Sequence, residues 1–347
     1  RDKLRRVIPS TPPSYHNAPF SMKVLVTGGA GYIGSVVAER LLGRGNTVVV
    51  LDSLVRGHRM AIPNEAEFIR GDLRDRDWLI RAVADVRPDV VAHLAGEALV
   101  GESVIDPAKF FDVNVHGGLN LLDAMVNAEV NRLVFSSTAA VYGEPAAVPI
   151  TEDAARVPVN AYGASKWCFE QMLPWYATAY GLRHISFRYF NACGATVERG
   201  EFHVPETHLI AILLEVALGL RDEIRLFGDD YETPDGTCIR DYIHVSDIAD
   251  AHVLALSSID DLDSGAFNLG TGTGFSNRDV IESVRRVTGH PIPVVPAPRR
   301  NGDPARLVAS AARATDVFGW RPAYPTLDAM VETAWAWRKD RLQPYTP

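Results

Sequence analysis

At 347 residues, with 47% hydrophobic and 22% charged side chains, the chain is long enough for one large or two modest domains around a sizeable core. A net charge of −8 argues against nucleic acid or an anionic membrane as the main partner, while leaving room for a locally basic pocket that takes an anionic substrate. The three cysteines, Cys168, Cys193 and Cys238, show neither CxxC nor Cys/His ligand spacing, so a disulfide framework and a metal site are not expected and a reducing cytoplasm is the default.

In chain order, residues 1–21 read as a disordered leader: Arg1, Lys3, Arg5 and Arg6 precede Pro9, Pro12, Pro13 and Pro19, with no apolar run of signal-peptide length. Met22 stands directly before the first strand, so translation starts there or the leader is an extension of unassigned role. Lys23 to Thr27 reads as a buried strand and is followed by a glycine turn, Gly28-Gly29-Ala30-Gly31-Tyr32-Ile33-Gly34. Ile33, Val36, Val37 and Leu41 then recur at helical spacing until Gly43 and Gly45. The second strand, Thr47 to Leu51, closes on Asp52. Further strands, each trailed by a helical pattern, are predicted at Glu67–Arg70, Val90–Leu94, Arg132–Phe135 and His184–Arg188. This alternation predicts an α/β fold with a Rossmann-type doubly wound parallel sheet over residues 22–190. Beyond Asn191 the loops lengthen, and helices are predicted near Ile210–Leu218, Val245–Leu256, Ser276–Val287 and Thr326–Trp337. Residues 191–347 are therefore expected to form a smaller, mixed α/β substrate lobe, with the chain crossing between the two. The longest apolar run, Ile210 to Leu218, is interrupted by Glu215 and is too short for a bilayer.

A glycine turn alone is weak. Here it follows a strand, opens a helix and precedes an acidic residue closing the next strand, which is the context of dinucleotide binding. Glycines let backbone N–H groups approach a pyrophosphate at the helix N-terminus. Asp52 accepts from ribose hydroxyls and repels a 2′-phosphate, favouring NAD over NADP; Arg56 and Arg59 leave some room for NADP. Thr138 ends Phe135-Ser136-Ser137-Thr138 at the carboxyl edge of the sheet, where a Ser/Thr cluster is either a turn or a group that hydrogen-bonds a reacting oxygen. Tyr162 and Lys166, at i and i+4, share a helix face. A free tyrosine titrates near ~10 whereas a neutral-pH base works near ~7, so about 4 kcal/mol must come from nearby positive charge. Lys166 is expected to supply part and a cationic nicotinamide more. Pro174, in the same helical stretch, predicts a kink or early stop.

These residues resemble the extended short-chain dehydrogenase/reductase family and, within it, the family of UDP-glucose (galactose) 4-epimerases, over roughly Met22 to Pro344. The epimerase-specific markers are Ala95-Gly96 with Val100-Gly101-Glu102-Ser103, Tyr189-Phe190-Asn191, the block Phe227 to Tyr231 continuing through Asp235 to Val245, and Arg299-Arg300-Asn301-Gly302-Asp303. The resemblance implies NAD contacts from Gly28, Gly31, Tyr32, Ile33, Gly34, Asp52, Asp72, Leu94, Ala95, Asn114, Tyr162, Lys166 and Phe190. It implies that Thr138, Tyr162, Asn191, Leu209, Phe227, Arg240, Tyr242, Arg300 and Asp303 hold the nucleotide sugar. The two arginines suit a diphosphate on chemical grounds as well, because it asks for charge-assisted donors in a fixed fork. Two positions depart from many members: Ala98 stands where a lysine is common, and His208 where an asparagine is common. Leu307 matches a position at which residue size governs access of N-acetylated sugars, and its intermediate size leaves that open.

The resemblance implies reversible inversion at C4 of a UDP-hexose through a 4-keto intermediate, with Tyr162, Lys166 and Thr138 catalytic. It also implies a homodimer pairing the helices around Phe111–Met125 and Tyr162–Tyr180. A 4,6-dehydratase needs an acidic pair after the threonine, but Ala139 and Ala140 follow Thr138. Epimerases of UDP-N-acetylhexosamines, UDP-uronic acids or UDP-pentoses stay open, and a non-catalytic NAD-sensing module would be expected to lack the tyrosine or the lysine.

Overall fold

The computed structural model describes residues 21–300, 303–343 and 345. The expected leader, apart from Ser21, and the marker residues Asn301 and Gly302 lie outside them. Seven parallel strands form the main sheet, in the order β10-β6-β5-β4-β1-β2-β3. They are β1 (Lys23–Thr27), β2 (Thr47–Asp52), β3 (Glu67–Arg70), β4 (Val90–His93), β5 (Arg132–Thr138), β6 (Arg183–Tyr189) and β10 (Gly265–Leu269). The apolar runs of β1, β2 and β4 are continuous because helices cover both faces. Val24, Val26, Val48 and Val50 pack on one side with α1 (Tyr32–Leu42) and α6 (Val245–Ser258). Leu25, Val49, Leu51 and Val91 pack on the other with α2 (Arg76–Val86), α3 (Gly117–Asn127) and α4 (Ala161–Tyr180). The order reverses between β1 and β4, so a crevice opens at their carboxyl ends, the usual ligand position in such sheets.

The chain re-enters this sheet late: β10 pairs with β6, and α6, Ala314 and Trp320 join the same core. Before, between and after these returns it builds the second lobe. There β9 (Ile239–His244) pairs with β7 (Asn191–Cys193), β11 (Gly274–Ser276) and β13 (Arg306–Leu307), and β8 (Ile224–Phe227) pairs with β12 (Val294–Ala297). The helices α5 (Leu209–Ala217), α7 (Asn277–Thr288) and α8 (Leu327–Arg338) bury Leu213, Val280, Val284, Met330 and Val331 in a separate apolar cluster. Helix α4 does not stop at Pro174 but runs on to Tyr180, closed by Gly181 in the left-handed region.

Candidate active site

Glycine at the first turn is dictated by contact. Gly28 has φ +73°, and a Cβ there would stand 2.5 Å from the Ala95 nitrogen; one at Gly34 would stand 2.2 Å from the Gly28 oxygen. These approaches let α1 begin beside the end of β4. Its N-cap, Gly31, offers no side-chain cap, so the amides of the first turn stay available to an anion. Asp52, at the end of β2, accepts from the Ala30 amide at 3.0 Å and the Leu54 amide at 2.8 Å, which points its carboxylate at the turn. Burial raises its pKa, and those two bonds work in the opposite direction. Arg56 is committed to Glu102 at 2.5 Å and Glu97 at 3.5 Å, and the Arg59 guanidinium lies 4.8 Å from the centre of the Phe68 ring. With both arginines so engaged, Asp52 governs the ribose end, and the site suits NAD rather than a 2′-phosphorylated dinucleotide.

Tyr162 and Lys166 stand on the first two turns of α4. Asn160 caps this helix by accepting from the Gly163 amide at 2.8 Å. Gly163 allows the close seating: a Cβ there would fall 2.5 Å from the Ala140 oxygen, just past β5. Tyr162 is thereby brought beside Thr138, the last residue of β5, near enough for the threonine hydroxyl to bear on its acidity. The Thr138 oxygen accepts from the Ala140 amide at 3.1 Å, which leaves its own proton to donate to the phenol oxygen. Burial raises the Tyr162 pKa above its ordinary value, and the bond from Thr138 pulls it partly back.

Lys166 is anchored on the strand that carries Thr138. Its ammonium donates to the Ser136 carbonyl at 3.0 Å and lies 5.0 Å from the centre of the Phe135 ring, and burial pulls its pKa down to about 8. Lys166 is held beside the strand edge, and the protein's own groups leave the phenol less acidic than free tyrosine. Asn114 ties the loop after β4 to α4. Its amide donates to the Glu97 carbonyl at 3.1 Å and Ser165 at 2.9 Å, and accepts from the Glu97 amide at 2.8 Å. It is buried behind the wall of the cleft, positioning the loop after β4 against α4.

Every other residue expected at the site lines one cleft of about 1130 Å³. A single small ligand typically occupies about 300–1,000 Å³, so this volume suits a dinucleotide together with a second ligand. On the cofactor side are Gly31, Tyr32, Ile33, Asp72, Leu94, Ala95 and Phe190. Tyr32 donates to the Gly194 carbonyl at 2.7 Å, and Arg74 holds the Asp72 carboxyl below its usual range at 2.7 Å. On the second-lobe side Asn191 donates to the Asp241 carbonyl at 3.0 Å, with Leu209 at the start of α5 and Tyr242 in β9. Asp303 gathers the arginines: Arg300 donates to it at 2.8 Å and Arg240 stands at 3.8 Å. The Arg300 guanidinium is 5.0 Å from the centre of the Phe227 ring. Two cations, an acceptor and an aromatic face thus converge where a nucleoside diphosphate can lie.

Two groupings were not legible beforehand. Glu97, Glu102, Lys109 and Arg56 form an alternating charge network along the cleft rim, with Lys109 at 3.1 Å from Glu97 and 2.8 Å from Glu102. In the loop before α5, Glu201, His203, Glu206 and His208 converge. Burial opposes a charged imidazole at His203, but Glu201 and Glu206 outweigh it and push its pKa up to about 9. The alternation Glu-x-His and Glu-x-His was the available signal.

The model of the NAD dependent epimerase/dehydratase family matches residues 24–270. The UDP-glucose 4-epimerase of Halalkalibacterium halodurans is 50% identical over 328 residues, covering 94% of this chain and 98% of that protein. The crystal structure of UDP-glucose 4-epimerase from Brucella ovis in complex with NAD superposes with a TM-score of 0.87 at 47% identity, covering 90% of this chain and 97% of that one. That of UDP-glucose 4-epimerase from Thermotoga maritima with UDP-glucose gives a TM-score of 0.84 at 32% identity, covering 93% and 100%. Fold, cleft and sequence agree, and the chain belongs to the NAD dependent epimerase/dehydratase family, among the UDP-glucose 4-epimerases.

Proposed function

We propose that this protein reversibly inverts C4 of a UDP-hexose, interconverting UDP-glucose and UDP-galactose, with NAD as its resident cofactor. The observation that carries the reading is the Tyr162 phenol beside Thr138 in a cleft that has a glycine cradle and Asp52 at one end and Arg240, Arg300 and Phe227 at the other. Gly28, Gly31, Gly34 and Asp52 would hold the dinucleotide, with Lys166 at its nicotinamide end. When bound, NAD supplies a reversible hydride acceptor and, when oxidised, the positive charge that a buried phenol requires in order to ionise.

The residues of the chain do the rest. Tyr162 takes the proton from the C4 hydroxyl and later returns it, while Thr138 donates to the phenol oxygen and keeps the phenolate in place. Lys166, fastened to the Ser136 carbonyl, adds fixed positive charge on the same side of the cleft. Arg240 and Arg300 grip the diphosphate through charge-assisted hydrogen bonds, so the 4-keto sugar stays tethered as it turns to present its other face. Substrate binding energy remote from C4 thereby retains the intermediate. Ala139 and Ala140 leave no acidic pair beside Thr138 for dehydration.

A homodimer is part of the proposal. Phe111, Leu119, Trp175 and Tyr180 are exposed on the contiguous helical segments that include α3 and α4, and Trp175 is 76% exposed. The three free cysteines support a reducing cytoplasm. No helix among the described residues is long and apolar enough to cross a membrane. The test is an assay of purified protein with UDP-galactose and no added NAD. UDP-glucose as product supports the reading; loss of UDP-galactose with release of water, or no conversion by protein shown to carry NAD, sinks it.

A further inference from the structure

The loop between β7 and α5 carries four potential metal ligands outside the catalytic groups. One ligand atom from each of Glu201, His203, Glu206 and His208 lies within 4.8 Å of the other three. His208 Nδ1 stands 2.8 Å from a Glu201 oxygen and 2.9 Å from a Glu206 oxygen, and His203 Nδ1 stands 3.5 Å and 3.7 Å from oxygens of the same two carboxylates. Ligand atoms about 2.1 Å from a central ion, at tetrahedral angles, are about 3.4 Å apart. The two His203 separations lie close to that edge length, and the two from His208 are hydrogen-bonding distances that an ion between the side chains would lengthen.

We infer that these four side chains form a binding site for a divalent cation of the zinc class. Three further observations support it. His203 Nδ1 is buried without a hydrogen-bond partner although it faces the cluster, and coordination would satisfy it. Glu206 is oriented from behind by the Thr207 amide at 2.8 Å and the His208 amide at 2.9 Å, the backing that fixes metal-binding carboxylates. The donor set of two imidazoles and two carboxylates suits zinc, whereas magnesium and calcium favour oxygen alone. The loop is anchored from outside the cluster, because Arg56 donates to the Val204 carbonyl at 3.2 Å and His58 hydrogen-bonds the Phe202 carbonyl at 3.0 Å. Glu201, His203 and His208 also line the cleft, and Leu209 follows directly, so an ion here would stiffen the wall that carries α5. The cysteine spacing that discouraged a metal does not bear on this His and Glu set.

The test uses the NAD-bound protein, washed with chelator and titrated with Co²⁺ while the visible absorption is followed. One Co²⁺ per chain with a four-coordinate spectrum, displaced by one equivalent of Zn²⁺, is the expected result. His203→Gln and Glu201→Gln are each expected to weaken binding at least tenfold, with retention of NAD as the check on folding. Substoichiometric or spectrally featureless binding in the wild type overturns the site. So does equal affinity in folded variants, and the wild-type stoichiometry decides even where a variant fails to fold. Turnover is not the readout, so the outcome is independent of the epimerase reading.

Discussion

At the scale of single residues, the chemistry turns on how a buried phenol is made to ionise. Burial alone drives Tyr162 the wrong way, and Thr138 is the group that opposes it. Thr138→Val removes that donor, so the phenol titrates at higher pH and less phenolate is present at neutrality. The expected result is a loss of about tenfold or more near pH 7 that narrows as pH rises. Thr138→Ser should restore the profile, and a uniform loss at every pH would contradict this role. Lys166 gives a separate linkage test. Its folded pKa, about 8, lies below the 10.5 of an exposed lysine. Between those values the unfolded chain holds a proton that the folded protein has shed, so wild-type stability must rise with pH relative to Lys166→Met. Urea unfolding from pH 7 to pH 10.5 measures it, and a constant difference would refute the depressed pKa of the buried ammonium.

At the scale of elements, the turn before α1 and the seating of α4 decide whether the site exists. Gly34→Ala would force a methyl group into the Gly28 carbonyl, so the purified variant should lose its NAD absorbance and melt earlier. Helix α4 is locked to the sheet by Glu170, which pairs with Arg188 of β6 at 2.6 Å and hydrogen-bonds Ser137 of β5. Glu170→Gln leaves the Arg188 charge buried and uncompensated and should cost about 3–5 kcal/mol in denaturant melts. A change under about 1 kcal/mol would show that the pair does not hold the helix. Much at this scale was legible. Strands β1, β2 and β4 read as unbroken apolar runs, and β1 to β6 and the helices α5 to α8 were all expected within a few residues of where they lie. β10 was not, because Gly265-Ala266-Phe267-Asn268-Leu269 has neither an apolar run nor a strict alternation, and its place beside β6 comes from a long-range return of the chain. The hydrogen bonds of Asn114 were hidden for a related reason: the direction of a buried amide is set by tertiary partners that spacing does not reveal. The Glu170–Arg188 pair likewise joins residues on separate elements.

At the scale of the whole molecule, the crossing of the chain between sheet and second lobe builds a cleft with unlike ends, one shaped for a dinucleotide and one for a diphosphate. The exposed apolar side chains on the helical layer opposite α1 and α6 predict a dimer in solution. Light scattering should give the mass of two chains, and Trp175→Glu should give one chain that keeps its NAD; a monomeric wild type would contradict the pairing. The central claim is that both ends of the cleft serve the phenol of Tyr162. Its most direct test is the turnover of UDP-galactose by Tyr162→Phe, measured beside NAD content and UDP-sugar affinity. The account predicts bound NAD, near-normal affinity and a rate lower by about 10²–10⁴-fold. A variant that binds both ligands and turns over within a few-fold of the wild type would contradict it.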